Sequence, residues 1–374
     1  MPTKPTVLTD GSDLRFLAAS GLALVALSAC DPNPANIQVE VPAIPTSDTT
    51  VAQGNRTLGI AISDRSDGDF NTAFDQAVAA GMESTGLSLS WDDLEVSPGV
   101  YNPDIDFLQI ANDFYGPRGT QVLLGLNPID TNNRRLPAHL AGLAWDDPQV
   151  VDAFRALLDW ALPKVDSLDL YALSIGNEID ATLASDVGWA AYTNFLSSVA
   201  SHARSLRPGL RVGSKVTVDG LTAAHADRAS TLNSVTDVVL TTYYPLGSGF
   251  TIESPSTVAG VFADVTARYA QRTIAFAEIG SSSTSQCGSS EALQADFVTE
   301  AFKAWDRHAD QVELLEFVWM HDISSAQLSV YEQYYGVSNP CFLEYLATLG
   351  LKSPEGVDKP AWQRLTAEAA ARGW

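Results

Sequence analysis

The chain has 374 residues, 45% of them hydrophobic, and a mean hydropathy of +0.01, enough to bury a full core in one large domain or two small ones. Its formal net charge is −23 and its pI is near 4.4. A field of that sign repels phosphate backbones, polyanions and anionic lipid, so nucleic acid is not an expected partner and neutral ligands stay open.

In chain order, residues 1–29 read as an export signal. Lys4 and Arg15 precede an apolar stretch from Phe16 that is too short for a comfortable membrane span and closes on Leu27-Ser-Ala-Cys30. That closing segment resembles the lipobox of bacterial lipoproteins. The resemblance implies lipidation of Cys30 and an exported protein held to a bacterial membrane through its lipid alone. An ordinary cleaved signal peptide is the other reading. Residues 30–56, rich in Pro, Thr and Asp, read as a flexible tether, and 57–374 as the folded domain.

From residue 57 apolar and amphipathic runs alternate. Strands are expected at 57–63, 85–90, 121–126, 169–176, 211–216, 236–243, 273–278 and 312–319, short apolar runs of the kind buried on both faces. Between them, 69–81 has helical spacing and stops at Gly81. Residues 148–165 place Val150, Phe154, Leu157, Leu158 and Ala161 on one side, and 289–308 do the same with Leu293, Phe297, Phe302 and Trp305. Eight strands alternating with helices predict an α/β fold, a single (β/α)8 TIM barrel. A doubly wound sheet is the competitor, but no Gly-x-Gly-x-x-Gly follows an early strand.

Barrels of this kind carry their sites at the carboxyl ends of the strands. Trp91 follows strand 2, Asn127 follows strand 3, and Asn177 and Glu178 end strand 4. Tyr243 and Tyr244 end strand 6, Glu278 ends strand 7 and Trp319 ends strand 8. The two tyrosines are adjacent, so one of them faces the site and the other points away. Trp91 also fits a packing role under its loop, and Asn127 a turn; Arg134 and Arg135 read as surface charges. Cys287 and Cys341 fall after strands 7 and 8 on the same face, either as a disulfide of an exported protein or as two thiols. The five His are scattered without metal-ligand spacing, and there is no Gly-x-Ser-x-Gly elbow. No nucleotide, metal or organic cofactor is expected.

Two carboxyls across a sugar ring are the machinery of glycosidic bond cleavage. One protonates the leaving oxygen; the other attacks the anomeric carbon at a separation of about 5–5.5 Å, or activates water at about 6.5–9.5 Å. Glutamates projecting inward across a narrow barrel mouth fit the shorter distance. Aromatic rings would stack on the sugar while Asn and Tyr bind its hydroxyls.

These residues resemble glycoside hydrolase clan A: Asn177-Glu178 ending strand 4, a Tyr ending strand 6, Glu278 ending strand 7 and Trp319 ending strand 8. Trp91-Asp-Asp-Leu-Glu-Val-Ser-Pro-Gly-Val-Tyr101 is similar to the clan's segment after strand 2, and Lys359-Pro-Ala-Trp-Gln-Arg-Leu365 to its last helix. Tyr243-Tyr244-Pro245 and the Gly-Asn-Glu context look most like endo-β-1,4-galactanases. The resemblance implies a retaining β-glycosidase with Glu178 as acid/base, Glu278 as nucleophile, Asn177 on the sugar 2-hydroxyl and Trp319 as the floor of the subsite. Strand 2 ends Ser-Leu-Ser-Trp, without the clan's Arg, and Ile-Gly-Ser-Ser-Ser-Thr-Ser-Gln-Cys follows Glu278 in place of an aromatic loop. The expected substrate is a neutral β-galactan, β-mannan or β-glucan, cleaved by a monomer. A non-catalytic glycan-binding lipoprotein on the same barrel and a transglycosylase are the alternatives.

Overall fold

A computed structural model describes residues 49–63 and 65–374. The expected signal segment, Cys30 and most of the expected tether lie outside the described residues. Eight parallel strands are laid down in chain order: β1 (Thr57–Ile60), β2 (Ser84–Ser90), β3 (Gln121–Asp130), β4 (Asp169–Asn177), β5 (Val212–Gly213 and Lys215–Thr217), β6 (Val239–Tyr243), β7 (Ile274–Ile279) and β8 (Val312–Phe317). They pair in the order 4-3-2-1-8-7-6-5. The first piece of β5 pairs with β4 (Ser174↔Gly213) and the second with β6 (Leu240↔Lys215), so the kink at Ser214 closes the ring. This is the predicted (β/α)8 barrel.

The outer ring contains α1 (Phe70–Ala79), α2 (Phe107–Tyr115), α3 (Pro148–Ala161), α4 (Asp186–Leu206), α5 (Ala226–Asn233), α6 (Val258–Arg268) and α7 (Glu291–Arg307). Their starts are written in the sequence. Asp69, Asp106, Asp147, Ser185 and Ser290 each accept a backbone N–H of the first turn, satisfying a donor that the helix itself leaves orphaned. Their apolar stripes, such as Val150, Phe154, Leu157 and Leu158 of α3, pack on the strands in one continuous core. A smaller cluster of Leu123, Leu240, Ala275, Ala277 and Leu314 fills the inside of the barrel.

The region 320–359 holds two helices, α8 (Ser325–Tyr335) and α9 (Pro340–Ala347), ahead of the last helix, α10 (Pro360–Arg372). A disulfide joins Cys287 to Cys341 with Cα atoms 5.6 Å apart, so the pairing is the one that holds; Cys341 sits in the first turn of α9 rather than in a loop. Residues at the end of the expected tether belong to the fold. Gln53 N donates to Arg372 O at 2.8 Å, and the buried Arg56 pairs with Asp306 at 2.9 Å.

Candidate active site

Strand β4 ends in a turn that only its own sequence permits. Gly176 has φ +86, and a Cβ there would lie 2.4 Å from Tyr192 Oη. Two residues on, Glu178 is itself in the left-handed region with φ +44, a conformation costing a non-glycine residue about 1–3 kcal/mol. The turn leaves its carboxylate wholly buried. Thr131 Oγ1 donates to one oxygen at 3.0 Å and Thr242 Oγ1 to the other at 2.7 Å. Burial first, and the Glu278 charge second, push the Glu178 carboxyl well above its usual range. Both influences favour its protonated form.

Glu278 stands on β7, across from Thr242 of β6. It is 2% exposed, and its two oxygens have different donors. Lys215 Nζ lies 2.6 Å from Oε1, and Tyr244 Oη donates to Oε2 at 2.7 Å. Burial raises this carboxyl too, but the Lys215 charge and the two hydrogen bonds work against that rise. Lys215 is held protonated by Glu278, Glu316 and Glu178 against its own burial. The pair is therefore asymmetric: Glu178 has only hydroxyl donors, whereas Glu278 has a cation and a phenol.

Lys215 is placed by the strand end that carries it. Thr217, two residues on, gives its N–H and hydroxyl to Asp180 at 3.0 and 2.6 Å, tying β5 to the chain just past Glu178. Below lies a third buried carboxyl, Glu316 of β8. Gly59 and Gly86 make room for it: a Cβ on either would come within 2.8 Å of its side chain. Lys215, Glu278 and Glu316 line a cavity of about 20 Å³ within the barrel.

The other expected site residues divide. Asn177 is fully buried and donates Nδ2 to Asp130 at 2.9 Å, leaving its Oδ1 without a partner. Trp319 joins Tyr244 and Tyr345 in the apolar cluster at the mouth and stacks on Tyr331 with centroids 5.6 Å apart. Asn127 is buried on β3, donating to Ser88 Oγ at 2.7 Å, and neither glutamate is among its hydrogen-bond partners. Tyr243 is a correction. Its hydroxyl lies 3.3 Å from Thr257 Oγ1 and its ring 5.9 Å from Phe297, so it packs outward against the helices while Tyr244 serves the site. Trp91 is a second correction. It opens a short helix, donates Nε1 to Glu95 at 2.8 Å and meets Phe154 edge-on, the packing role open to it. Arg135 is no free surface charge; it pairs with Asp92 and donates to Tyr334 Oη.

The helices after β8 cover the mouth. Tyr334 donates to Asp130, the partner of Asn177, and Asn132 Nδ2 donates to Tyr335 O at 3.1 Å. Loops after β3 and β8 are thus joined over the acids. Among the described residues no cluster of three His, Cys, Asp or Glu is placed to hold a metal ion.

Solved structures share this barrel. An exo-β-1,4-mannosidase from an Opitutaceae bacterium is 17% identical with a TM-score of 0.67, over 85% of this chain and 59% of that one. A GH5_18 protein from Streptomyces cattleya, in complex with GlcNAc, is 18% identical with a TM-score of 0.66, over 87% and 81%. A GH5_18 variant from Bifidobacterium longum, in complex with Manβ1-4GlcNAc, is 15% identical with a TM-score of 0.66, over 84% and 78%. This chain thus spans under two thirds of the mannosidase's length. No protein-family model matches the chain, and no curated protein does.

Proposed function

We propose that this chain is a retaining β-glycosidase that removes a terminal sugar, β-mannose before others, from a neutral oligosaccharide. The observation that carries the proposal is the unequal environment of the two buried glutamates. Glu178, protonated, gives its proton to the glycosidic oxygen. Glu278, ionised by Lys215 and Tyr244, attacks the anomeric carbon; the bond to the leaving oxygen breaks and a glycosyl ester forms on Glu278. Water then attacks the same carbon, Glu178 takes its proton back, and Glu278 leaves as carboxylate.

The covered mouth supports action on chain ends rather than chain interiors, since an open cleft is what a continuous polysaccharide needs. The choice of mannose rests on the mannosidase and the Manβ1-4GlcNAc complex among the similar structures. The Leu27–Cys30 segment supports export and a lipid anchor, and a disulfide suits an oxidising compartment.

The test is sugar release from aryl β-mannoside, β-glucoside and β-galactoside and the matching oligosaccharides, by wild type, Glu178→Gln and Glu278→Gln. One sugar should be cleaved, and each substitution should cost about a hundredfold to ten-thousandfold on the oligosaccharide. A wild type that binds glycan without cleaving it, matched by both variants, makes the protein a binder.

A further inference from the structure

Helix α9 is preceded by Asn339, whose side chain caps the N–H groups of Cys341 and Phe342. Cys341 and Tyr345 are four residues apart and so share one face of that helix. Cys341 is bonded to Cys287 in the loop after β7, one turn from Tyr345. The Tyr345 ring is fully buried and meets Tyr244 edge-on, with centroids 5.9 Å apart. Tyr244 is the residue that donates to Glu278.

The hydroxyl of Tyr345 has no hydrogen-bond partner, although those of Tyr243 and Tyr244 each have one. A buried hydroxyl left unpaired costs about 1–3 kcal/mol and calls for a reason. Packing is not that reason, because Phe would fill the same space. Among the other buried polar atoms in this condition are Asn177 Oδ1, next to Glu178 in the chain, and Trp319 Nε1, in the same apolar cluster as Tyr345. Burial and the charges of both Glu178 and Glu278 oppose ionisation of Tyr345, as they would for a ring close to both carboxyls. An indole donor, an amide acceptor and a phenol that does either suit a ring bearing several hydroxyls.

We propose that Tyr345 is a substrate-contacting residue that hydrogen-bonds a hydroxyl of the sugar held between Glu178 and Glu278, and that the Cys287–Cys341 disulfide is the strut that holds it there. The proposal rests on the glycosidase reading above and adds a determinant of which sugar is accepted. A site built to bind a hydroxyl rejects an analogue that lacks it, because its own polar group is then left unpaired.

The experiment uses the full-length, oxidised protein, with p-nitrophenyl β-mannoside, its 2-, 3-, 4- and 6-deoxy analogues, and a mannose-configured iminosugar as a calorimetric probe. Tyr345→Phe should melt no lower than wild type, since it removes an unpaired buried hydroxyl, and lose about tenfold to a hundredfold in kcat/KM on the parent glycoside. On one deoxy analogue, and one alone, wild type and variant should be equal. An equal loss on all analogues would mean that Tyr345 acts only through Tyr244, and no loss on the parent would overturn the contact outright. The Cys287→Ser/Cys341→Ser protein should show a similar loss, to which Tyr345→Phe adds little; a disulfide-free protein with undiminished discrimination overturns the strut. A wild type that neither cleaves any glycoside nor binds the iminosugar overturns the glycosidase reading and this proposal together. An active wild type equalled by Tyr345→Phe overturns this proposal alone.

Discussion

The Lys215 ammonium lies 2.6 Å from an oxygen of Glu278, with both side chains all but excluded from solvent at 6% and 2% exposure. Strand 2 ends Ser-Leu-Ser without the Arg that the clan resemblance leads one to expect, and the cation beside Glu278 comes from β5. Removing it should leave burial opposed by the Tyr244 hydrogen bond and no longer by a cation, so the Glu278 carboxyl should rise further. Lys215→Met should therefore move the acid limb of kcat/KM to higher pH. A pH–rate profile checks this, and an unmoved acid limb would sever Lys215 from the nucleophile.

Glu178 has the opposite task. Because burial and Glu278 raise it, activity should fall as pH rises through its folded pKa, when the proton needed by the leaving group is lost. Glu178→Gln should abolish that alkaline limb. It should also cost far more on an oligosaccharide, whose leaving alcohol needs protonation, than on a dinitrophenyl glycoside, whose leaving group does not.

Glu316 gives a stability prediction with a defined sign. Burial pushes its carboxyl up to about 8, against about 4.3 for an unfolded Glu. Between those values the folded chain binds the extra proton, so stability falls as pH rises. Glu316→Gln removes the titration. Its melting temperature should match wild type near pH 5 and exceed it at pH 8.5, by a gap that opens between those two points in thermal scans.

At the opposite end of the barrel, Asp306 is shared by two buried arginines, Arg56 at 2.9 Å and Arg372 at 2.6 Å. This contact ties the start of the folded domain to its last helix. Asp306→Ala leaves two desolvated cations facing each other and should cost about 3–5 kcal/mol in denaturant unfolding. Activity per folded molecule should be unchanged, since no side chain of the site is touched.

Much of the fold could be read from the chain because a strand buried on both sides is a continuous apolar run, and all eight were found at their places. Their ends were less legible. The β1 run continues apolar through Ile62, but the strand stops at Ile60 and β8 stops at Phe317, where the chain turns over the mouth. The acids were visible as polar residues that close apolar runs. Lys215 was not, since one Lys in Val-Gly-Ser-Lys-Val-Thr looks like a solvated strand edge; its place in an otherwise apolar run was the available clue. Thr131 and Thr242 carry no chemical signature until Glu178 is folded against them. Tyr334 and Tyr345 sit in helices whose function depends on a mouth that only the closed barrel creates. Trp91 and Tyr243 misled because an aromatic at a strand end looks the same whether it faces a sugar or a helix.

The most direct test of the account is covalent trapping of the purified wild type with a 2-deoxy-2-fluoro-β-mannosyl fluoride, followed by intact mass and peptide mapping. The fluorine slows both steps, while the good leaving group lets the first proceed, so a retaining enzyme accumulates its glycosyl ester. The account predicts one sugar per chain, attached to Glu278, and no labelling of Glu278→Gln. An enzyme that hydrolyses β-mannosides yet is labelled elsewhere, or stays unlabelled while inverting the anomeric centre, would contradict it.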